Sequence, residues 1–559
     1  MPHPSLDTLI IGSGPGGLTA AVALAQAGQN VLVCEQHEVP GGWTHSFTLE
    51  GYRFSPGVHY IGGLQPGGHL RRIYEGLGVS QDLEFLELNP DGFDHIFVGQ
   101  ERFDIPAGVE RYAERLKTRF PRDAAGIDGY LHTVERIMTS LSRAAAVQSV
   151  SDIAKLPAPE VLFRPPEVLF RRAAPIVQWG LRSGQDLIDH FVSDPVLKGI
   201  LAGQAGDHGL PPSQVSAMIH AGVVHHYFDG GYYPRGGGFA IPRAFVRALK
   251  RAGGEIRLNT PVARILLENG RAMGVLLADG TEIRARHVIS NADPEVTFGK
   301  LIGREHLSGR LRRKLDRVTY STSALSLFFA VDMDLRAAGL DSGNYWYYDH
   351  PDVDAIYRQG LTGLVLDADA PPGMFLTVTT LKDPSKMHKG IHTLEAFAFV
   401  GYGAFKDWAG SASGMRPEVY RTLKGQLAGK MLAALDKRVP GLRDSLVFCD
   451  LGTPLTNEHY INATNGNLYG IAKSRFQIGP GAFPIKSEMD RLYTVGASTI
   501  SHGVAGATAT GLAAARAILN CRTRDLLAQN GPELKIYPSE DVTKWPEHLQ
   551  RRIARERRE

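Results

Sequence analysis

The first forty residues combine short apolar runs with a glycine-rich turn. A strand-length apolar run at 7–11 leads into the sequence GSGPGG at 12–17, and a helical stretch follows at 18–27. A second apolar run, 31–34, ends at Glu35. This pattern predicts a strand, a glycine turn, a helix and a second strand, which together form a βαβ unit.

A βαβ unit with this turn predicts a dinucleotide site. The glycines let the chain turn tightly and let a pyrophosphate approach the helix N-terminus, whose free N–H groups bind anions. Glu35 stands at the end of the second strand, where an acid accepts hydrogen bonds from the adenosine ribose. A further pair, Gly41-Gly42, follows too soon for the next strand of a nicotinamide-binding domain. FAD is therefore favoured over NAD(P).

A second glycine turn lies near the other end of the chain. The apolar run 492–495 leads into Gly496-Ala497-Ser498, and Gly503-Val504-Ala505 precedes a helical stretch at 507–519. Backbone N–H groups in such a turn can reach the ribityl chain and flavin ring of an extended FAD. The alternative is a closing strand and helix whose small residues serve only for close packing.

Several segments carry a family resemblance. The sequence GGWTHSF at 41–47, the segment 51–62, YYPRGGG at 232–238 and VISNADP at 288–294 follow one another in the chain. Together they resemble the retinol saturase and carotenoid cis–trans isomerase branch of the phytoene desaturase-like flavoproteins. Two departures, Trp43 in place of a basic residue and Ala497-Ser498 in place of an acid, disfavour an amine oxidase.

The resemblance implies an α/β fold. It consists of a discontinuous, Rossmann-type FAD-binding domain and an α+β substrate domain, as in amine oxidases and phytoene desaturases. The expected limits are 1–75, 227–300 and 481–525 for the FAD-binding domain, 76–226 and 301–480 for the substrate domain, and 526–559 for a polar C-terminal tail. The first substrate block has a mainly helical pattern, whereas the second contains strand runs at 323–331, 375–380 and 393–400.

The two glycine turns and the resemblance together define the expected FAD site. Val262 follows a Thr-Pro turn, and the resemblance implies that its backbone contacts the adenine. The expected cofactor-binding residues are Gly12, Gly14, Pro15, Gly16, Gly17, Glu35, Gly41, Gly42, Trp43, Val262, Asn291, Gly496, Ala497, Gly503, Val504 and Ala505.

The candidate catalytic residues are histidines and tyrosines near the resembling segments. A flavin passes a hydride, so a side chain or water must supply or take a proton. Histidine titrates near neutrality, and tyrosine can donate a hydrogen bond while stacking on a polyene. Arg235 either faces the flavin or forms a structural ion pair. The candidates are His59, Tyr60, His226, Tyr227 and Tyr232, with His225 beside them.

Composition narrows the class of protein. An apolar content of 43% and a charged content of 21% predict a globular chain. The net charge of +3 gives no reason to expect nucleic acid, and three cysteines without a CxxC motif suit a reducing cytoplasm. His220, His225 and His226 do not share one helical face, so no metal site is expected.

A membrane contact is expected to be peripheral. No run of about 18 apolar residues is present. The sequence PEVLF occurs at 159–163 and again at 166–170, among arginines and ahead of Trp179, which suits a segment at the headgroup boundary. The alternative is an ordinary amphipathic cap helix.

These patterns predict an FAD-dependent oxidoreductase that saturates, desaturates or isomerises C=C bonds of a long apolar polyene, a carotenoid or retinoid. Two alternatives stay open, a flavin amine oxidase and a non-catalytic protein that binds FAD or lipid. The sequence contains no second complete dinucleotide-binding unit that would bind NAD(P)H. It therefore assigns neither the electron partner nor the direction of the reaction.

Overall fold

The computed structural model describes residues 6–146 and 174–556. Its strands are β1 Thr8–Ile11, β2 Val31–Cys34, β3 Phe47–Leu49, β4 Tyr52–Phe54, β5 Glu84–Glu87, β6 Asp94–Val98, β7 Glu101–Ile105, β8 Tyr232–Pro234, β9 Glu255–Arg257, β10 Val262–Glu268, β11 Arg271–Leu277, β12 Glu282–Arg284, β13 His287–Ser290, β14 Ser323–Val331, β15 Asn344–Tyr348, β16 Gly373–Val378, β17 His392–Val400, β18 Leu446–Gly452, β19 Leu492–Thr494 and β20 Lys535–Pro538.

The α-helices separate these strands or cover them. They are α1 Pro15–Gln26, α2 His69–Gly76, α3 Val109–Arg119, α4 Ala124–Ala146, α5 Gly184–Phe191, α6 Pro195–Leu201, α7 Ala217–His226, α8 Ala240–Arg251, α9 Gly309–Arg317, α10 Val353–Leu361, α11 Thr379–Lys382, α12 Glu418–Arg438, α13 Pro454–Ile461, α14 Gly503–Leu519, α15 Thr523–Leu526 and α16 Glu547–Glu556. An unlabelled helical stretch at 174–179 and a π-helix at Glu295–Gly303 complete the larger helical elements.

A five-stranded parallel sheet is built from distant parts of the chain, in the order β19-β13-β1-β2-β9. Its strands β1 and β2 are buried at every position because both faces of the sheet are covered. Ile10 packs with α1, α8 and α14 on one face, whereas Leu9 and Ile11 pack with β10, β11 and the π-helix on the other. The predicted βαβ unit and the α/β fold class are confirmed.

A seven-stranded mixed sheet forms the second layer, in the order β18-β14-β17-β16-β15-β6-β7. Strands β6 and β7 lie in the 76–226 block, which was expected to be mainly helical. They form the edge of the sheet because β6 pairs in parallel with β15 and β7 pairs antiparallel with β6. The run predicted as a strand at 375–380 ends at Val378, where the chain turns into α11. This early turn carries Lys382 into the interior.

The segment 526–559 differs from the expected polar tail. Strand β20 pairs in parallel with β5, and α16 follows it. A small buried cluster holds this segment against the rest of the protein. It consists of Leu86 on β5 and of Trp545, Leu549 and Ile553, which are spaced four residues apart. Only the charged side of α16 faces solvent, among the residues that the structure describes.

Trp179 also departs from expectation. Its side chain is 1% exposed and packs against His190 and Phe191, with the Arg182 guanidinium over its ring. It is therefore a core residue and not a membrane anchor. The two PEVLF segments lie outside the described residues. The limits of the two domains and of the tail stay predictions.

Candidate active site

A large cavity lies where four of the parallel strands end. Its empty volume is about 1880 Å³, counting the side that opens to solvent. The wall contains Gly12 after β1, Glu35 after β2, Asn291 after β13 and Gly496 after β19. Open α/β sheets bind their ligands at this edge, so we call it the cofactor cavity.

Most of the residues expected to bind the cofactor lie on the wall of this cavity. They are Gly12, Gly14, Pro15, Glu35, Gly42, Trp43, Val262, Asn291, Gly496, Ala497, Gly503 and Val504. Gly16, Gly17, Gly41 and Ala505 are not on the wall. The reason is visible at Gly16, where a Cβ atom would lie 2.9 Å from the Gly496 nitrogen and 3.1 Å from the Ala507 oxygen, so this glycine lets α1 approach the second glycine turn.

Glu35 connects the first glycine turn to the loop after β2. Its Oε2 atom accepts hydrogen bonds from the Ser13 N–H at 2.8 Å and the Ser13 hydroxyl at 2.6 Å, and its Oε1 accepts from the His37 N–H at 2.9 Å. The Gly41 N–H donates to the same hydroxyl oxygen at 3.0 Å. A carboxylate has about four acceptor positions, so one remains for a ribose hydroxyl.

Two helices begin at the cofactor cavity without a side-chain cap. Gly14 is the N-cap of α1 and His502 is the N-cap of α14, and neither helix has an acid in its first turn. Their free N–H groups and dipoles favour a negatively charged or polar ligand. Asn291, whose Oδ1 accepts from the Gly17 N–H at 3.2 Å, lies between the two turns. This arrangement fits an extended dinucleotide such as FAD.

The far side of the cavity is a row of aromatic rings on the seven-stranded sheet. Trp346 on β15 pairs with Phe375 on β16, and Phe375 pairs with Phe397 on β17. The ring centroids are 4.6 Å and 5.9 Å apart. Phe399 and Tyr469 extend this wall, and we call the space that the five rings line the aromatic chamber.

His59 lies on the wall beside the aromatic chamber. Its Nδ1 is 3.1 Å from Oε2 of Glu395, which is fully buried, and its ring centroid is 4.7 Å from that of Phe397. Lys382 Nζ donates to the main-chain carbonyl of His59 at 2.6 Å. The imidazole thus lies next to a buried carboxyl group and an aromatic ring, while Lys382 holds the main chain of His59.

The structure does not place the other candidate catalytic residues, Tyr60, His226, Tyr227 and Tyr232, on the cavity wall. The Tyr60 ring stacks on Tyr227 at 4.3 Å. His226 Nε2 accepts from the Gly62 N–H at 2.9 Å, and the Tyr232 hydroxyl donates to the Asp229 carbonyl at 3.3 Å. The three tyrosines are buried and His226 is partly buried, and each of the four side chains contacts neighbouring groups of the protein.

Arg235 and His220 also have structural partners. The Arg235 Nε lies 2.5 Å from a carboxylate oxygen of Glu84, which is the ion pair that the sequence left as one alternative. His220 Nε2 is 2.8 Å from the Tyr130 hydroxyl. Across 6–146 and 174–556, no three His, Cys, Asp or Glu side chains come together as a metal site would require.

Sequence reasoning missed three ionisable residues at or beside the chamber. Asp207 is on its wall, Glu395 contacts His59, and Lys382 supports the His59 backbone. Asp207 falls in the helical block and Glu395 in an apolar strand, far apart in sequence. Glu395 is the charged residue within the mainly apolar run of β17, and a carboxyl group in such a run is the signal that could have identified it as a functional residue.

Within the described part of the chain, none of the helices combines the length and the apolar content needed to cross a membrane. The sequence led to the same expectation.

Comparison with known proteins identifies the family. The model of the flavin-containing amine oxidoreductases matches residues 15–387. An oxidoreductase from Methanosarcina mazei has a similar fold, with a TM-score of 0.58 and 18% sequence identity over 91% of this chain and 99% of that one. The predicted fold class is therefore confirmed by a solved structure as well.

Two curated relatives confirm the resemblance seen in the sequence. All-trans-retinol 13,14-reductase of Danio rerio is 30% identical over 534 residues, which cover 92% of this chain and 86% of the relative. Prolycopene isomerase of Daucus carota is 28% identical over 515 residues, which cover 88% of this chain and 76% of the relative. The chain therefore belongs to the family of flavin-containing amine oxidoreductases and is an FAD-dependent oxidoreductase.

Proposed function

We propose that this enzyme acts on the C=C bonds of a retinoid or carotenoid polyene, by saturation, desaturation or isomerisation. The observation that carries the proposal is the aromatic chamber, which forms one cavity with the cofactor site. Relatives named for a retinol reduction and a prolycopene isomerisation support it. The amine oxidase alternative is not favoured, because these relatives are named for retinoid and carotenoid reactions.

The residues of the chamber hold the substrate. Flat aromatic faces on β15, β16 and β17 suit a planar conjugated chain, which they bind by dispersion and by removing apolar surface from water. FAD, when bound, supplies reversible transfer of two electrons next to this chain. His59, which lies on the cavity wall beside the Glu395 carboxyl group, orients a polar end of the substrate or moves a proton.

The central experiment identifies the ligands and then the reaction. Purified protein should be yellow, should release free FAD on acid or heat treatment, and should shift the absorption maximum of an added retinoid or carotenoid. Primary amines and polyamines in the same assay serve as the matched alternative substrates. Peroxide released with an amine, together with an unchanged spectrum for every polyene, would contradict the proposal.

A peripheral location at the inner face of the cytoplasmic membrane is part of the proposal, because polyenes partition into bilayers. The described surface supports it at one place. Val177 is 73% exposed and Leu181 is 75% exposed, one helical turn apart, while Trp179 between them points into the core. Two exposed apolar side chains, one on the helical stretch and one in the turn that follows it, suit insertion at the acyl boundary.

A further inference from the structure

A chain of buried oxygens ends at the wall of the aromatic chamber. Asp207 lies on that wall, and its Oδ2 is 2.5 Å from the Tyr60 hydroxyl. The same hydroxyl is 3.0 Å from Oδ2 of Asp94, which is fully buried. Two carboxyl groups therefore contact one phenol, and the first of them belongs to a residue of the cavity wall.

Counting hydrogen-bond donors decides where the protons are. Asp94 accepts from Gln204 Nε2 at 2.8 Å, from Asn344 Nδ2 at 3.0 Å and from Trp346 Nε1 at 3.2 Å. With these three donors Asp94 is stabilised as a carboxylate, whereas the single proton of the Tyr60 hydroxyl can serve only one of the two carboxyl groups. Both contacts are hydrogen bonds at once only if one of the carboxyl groups carries a further proton, and Asp207, which lacks the three other donors of Asp94, is the group to which we assign it.

The surroundings agree with this assignment. Burial and the nearby charge of Asp94 raise the pKa of Asp207 to about 8, although the Tyr60 hydroxyl and the charge of Lys382 act in the opposite direction. Burial raises the pKa of Asp94 only to about 6, because its four donors favour the charged form. Lys382 faces the same group of side chains, and burial lowers its pKa to about 7. Four tyrosines are further ionisable neighbours of Asp207, and burial raises the pKa of each of them: Tyr227, Tyr348, Tyr357 and Tyr469.

The main chain fixes Asp207 relative to the cofactor site. Its carbonyl lies 2.8 Å from Nε2 of His502, the N-cap of α14. Gly503 and Val504, at the start of that helix, are on the wall of the cofactor cavity. The main chain at Asp207 is therefore tied to the helix that begins at the cofactor cavity, and Asp207 itself is a residue of the cavity wall.

We propose that Asp207 is the acid that donates a proton to a carbon of the polyene when the enzyme saturates a C=C bond. This inference rests on the proposed function. The π bond breaks and two C–H bonds form, one from a hydride supplied by reduced flavin and one from the Asp207 proton. Asp207 is left as a carboxylate, flavin is left oxidised, and water entering the open side of the cavity returns the proton after product release.

Tyr60 is a positioning residue in this scheme. Its hydroxyl accepts from Asp207 before the transfer, and it can rotate its own proton from Asp94 to the new Asp207 carboxylate afterwards. The phenol thus keeps Asp207 in one orientation and stabilises its charge. Sequence reasoning selected Tyr60 as catalytic, whereas this geometry gives the role at the substrate to Asp207.

Infrared difference spectroscopy of the flavin-loaded protein tests the proton without any substrate. The C=O stretch of a protonated carboxyl group, shifted by exchange into D₂O, is expected in the wild type at neutral pH and is expected to be lost in Asp207→Asn. In Tyr60→Phe the band should remain at a higher frequency, because the acid has lost its acceptor. Absence of the band, or its survival in Asp207→Asn, would overturn the assignment.

Single-turnover reduction of a polyene tests the donor role. Asp207→Asn should slow the step about 10²- to 10⁴-fold, the usual contribution of a general acid, while Asp207→Glu should recover part of the rate. Bound FAD and the thermal midpoint should equal those of the wild type in both variants, which separates this effect from misfolding. Equal rates for the wild type and Asp207→Asn would overturn the donor role alone. A wild type that converts no polyene would overturn the donor role and the proposed function together.

Discussion

At the scale of single residues, Glu35 offers the clearest test of the cofactor site. In Glu35→Ala, the Ser13 and His37 N–H groups lose their acceptor, as does the ribose of bound FAD. Losing a charge-assisted hydrogen bond of about 1.5–3 kcal/mol should weaken FAD binding roughly ten- to hundredfold. Titration of the apoprotein, followed by quenching of flavin fluorescence, measures this change. Glu38→Ala is the control, since Glu38 lies on the same loop with an exposed side chain; equal affinity in both variants would contradict the site.

The protonated state of Asp207 leads to a pH dependence. With a pKa of about 8, the acid is mainly protonated at pH 6 and mainly ionised at pH 9, so only the lower pH provides the donor. The rate of single-turnover saturation should therefore fall as the pH rises through about 8. In Asp207→Asn the remaining slow rate should lack this step. The same fall in both proteins would assign the titration to Lys382 or another neighbour.

Single residues also show what sequence spacing can and cannot predict. The glycines of the first turn and Glu35 were predictable because strand, turn and acid are neighbours along the chain. Asp207 was not, because its partners Tyr60 and Asp94 are brought to it by the pairing of β6 with β15 and by the packing of helical segments. An acid in a helical block looks like a surface residue until that long-range pairing is known.

At the scale of elements, the aromatic row on β15, β16 and β17 should determine affinity for the substrate. Phe375 is its central member, so Phe375→Ala removes the ring that touches both neighbours and should weaken retinoid binding about tenfold or more. Equilibrium binding to the flavin-loaded protein measures this, with unchanged FAD content. Phe476→Ala is the control, because that ring is 70% exposed. An unaltered affinity in Phe375→Ala would place the polyene elsewhere.

The C-terminal strand and helix are a second element with a measurable role. Trp545 is 3% exposed, and its Nε1 donates to the Pro538 carbonyl at 2.7 Å. Trp545→Ala should lower the stability with which α16 and β20 pack on β5 by about 3–5 kcal/mol, the usual loss when a large core side chain is truncated. Limited proteolysis should then cut within 535–556 much faster, while FAD stays bound. Met415→Ala, at an 82% exposed residue, is expected to leave the cleavage rate unchanged.

Periodicity predicted the strands of the parallel sheet well because buried strands of this kind are apolar on both faces. It failed for the C-terminal segment, where three apolar residues are spread among many charges. The predicted strand at 375–380 was also two residues too long at its end. Thr379 and Thr380 have a high strand propensity, but the chain forms α11 there.

At the scale of the whole molecule, the proposed membrane contact is tested by flotation with anionic liposomes. The variant Val177→Ser with Leu181→Ser removes the exposed apolar pair and should reduce the floated fraction, because less apolar surface enters the bilayer. Met415→Ser, also at an exposed apolar residue, is the control. Flotation should decrease with added salt if basic residues contribute. Equal flotation of the double variant and the control would place the contact on another surface.

The five-stranded sheet also has a consequence for how the protein is made. Its strands come from positions 8–11, 31–34, 255–257, 287–290 and 492–494, and α14 completes the cavity wall only at 503–519. A ribosome must therefore synthesise almost the whole polypeptide before the cofactor cavity can close. The first βαβ unit is synthesised early, whereas β9, β13, β19 and α14, which pack against it, are synthesised much later. Flavin capture is thus a late event of biosynthesis, and chains released before about residue 500 should leave the ribosome without FAD.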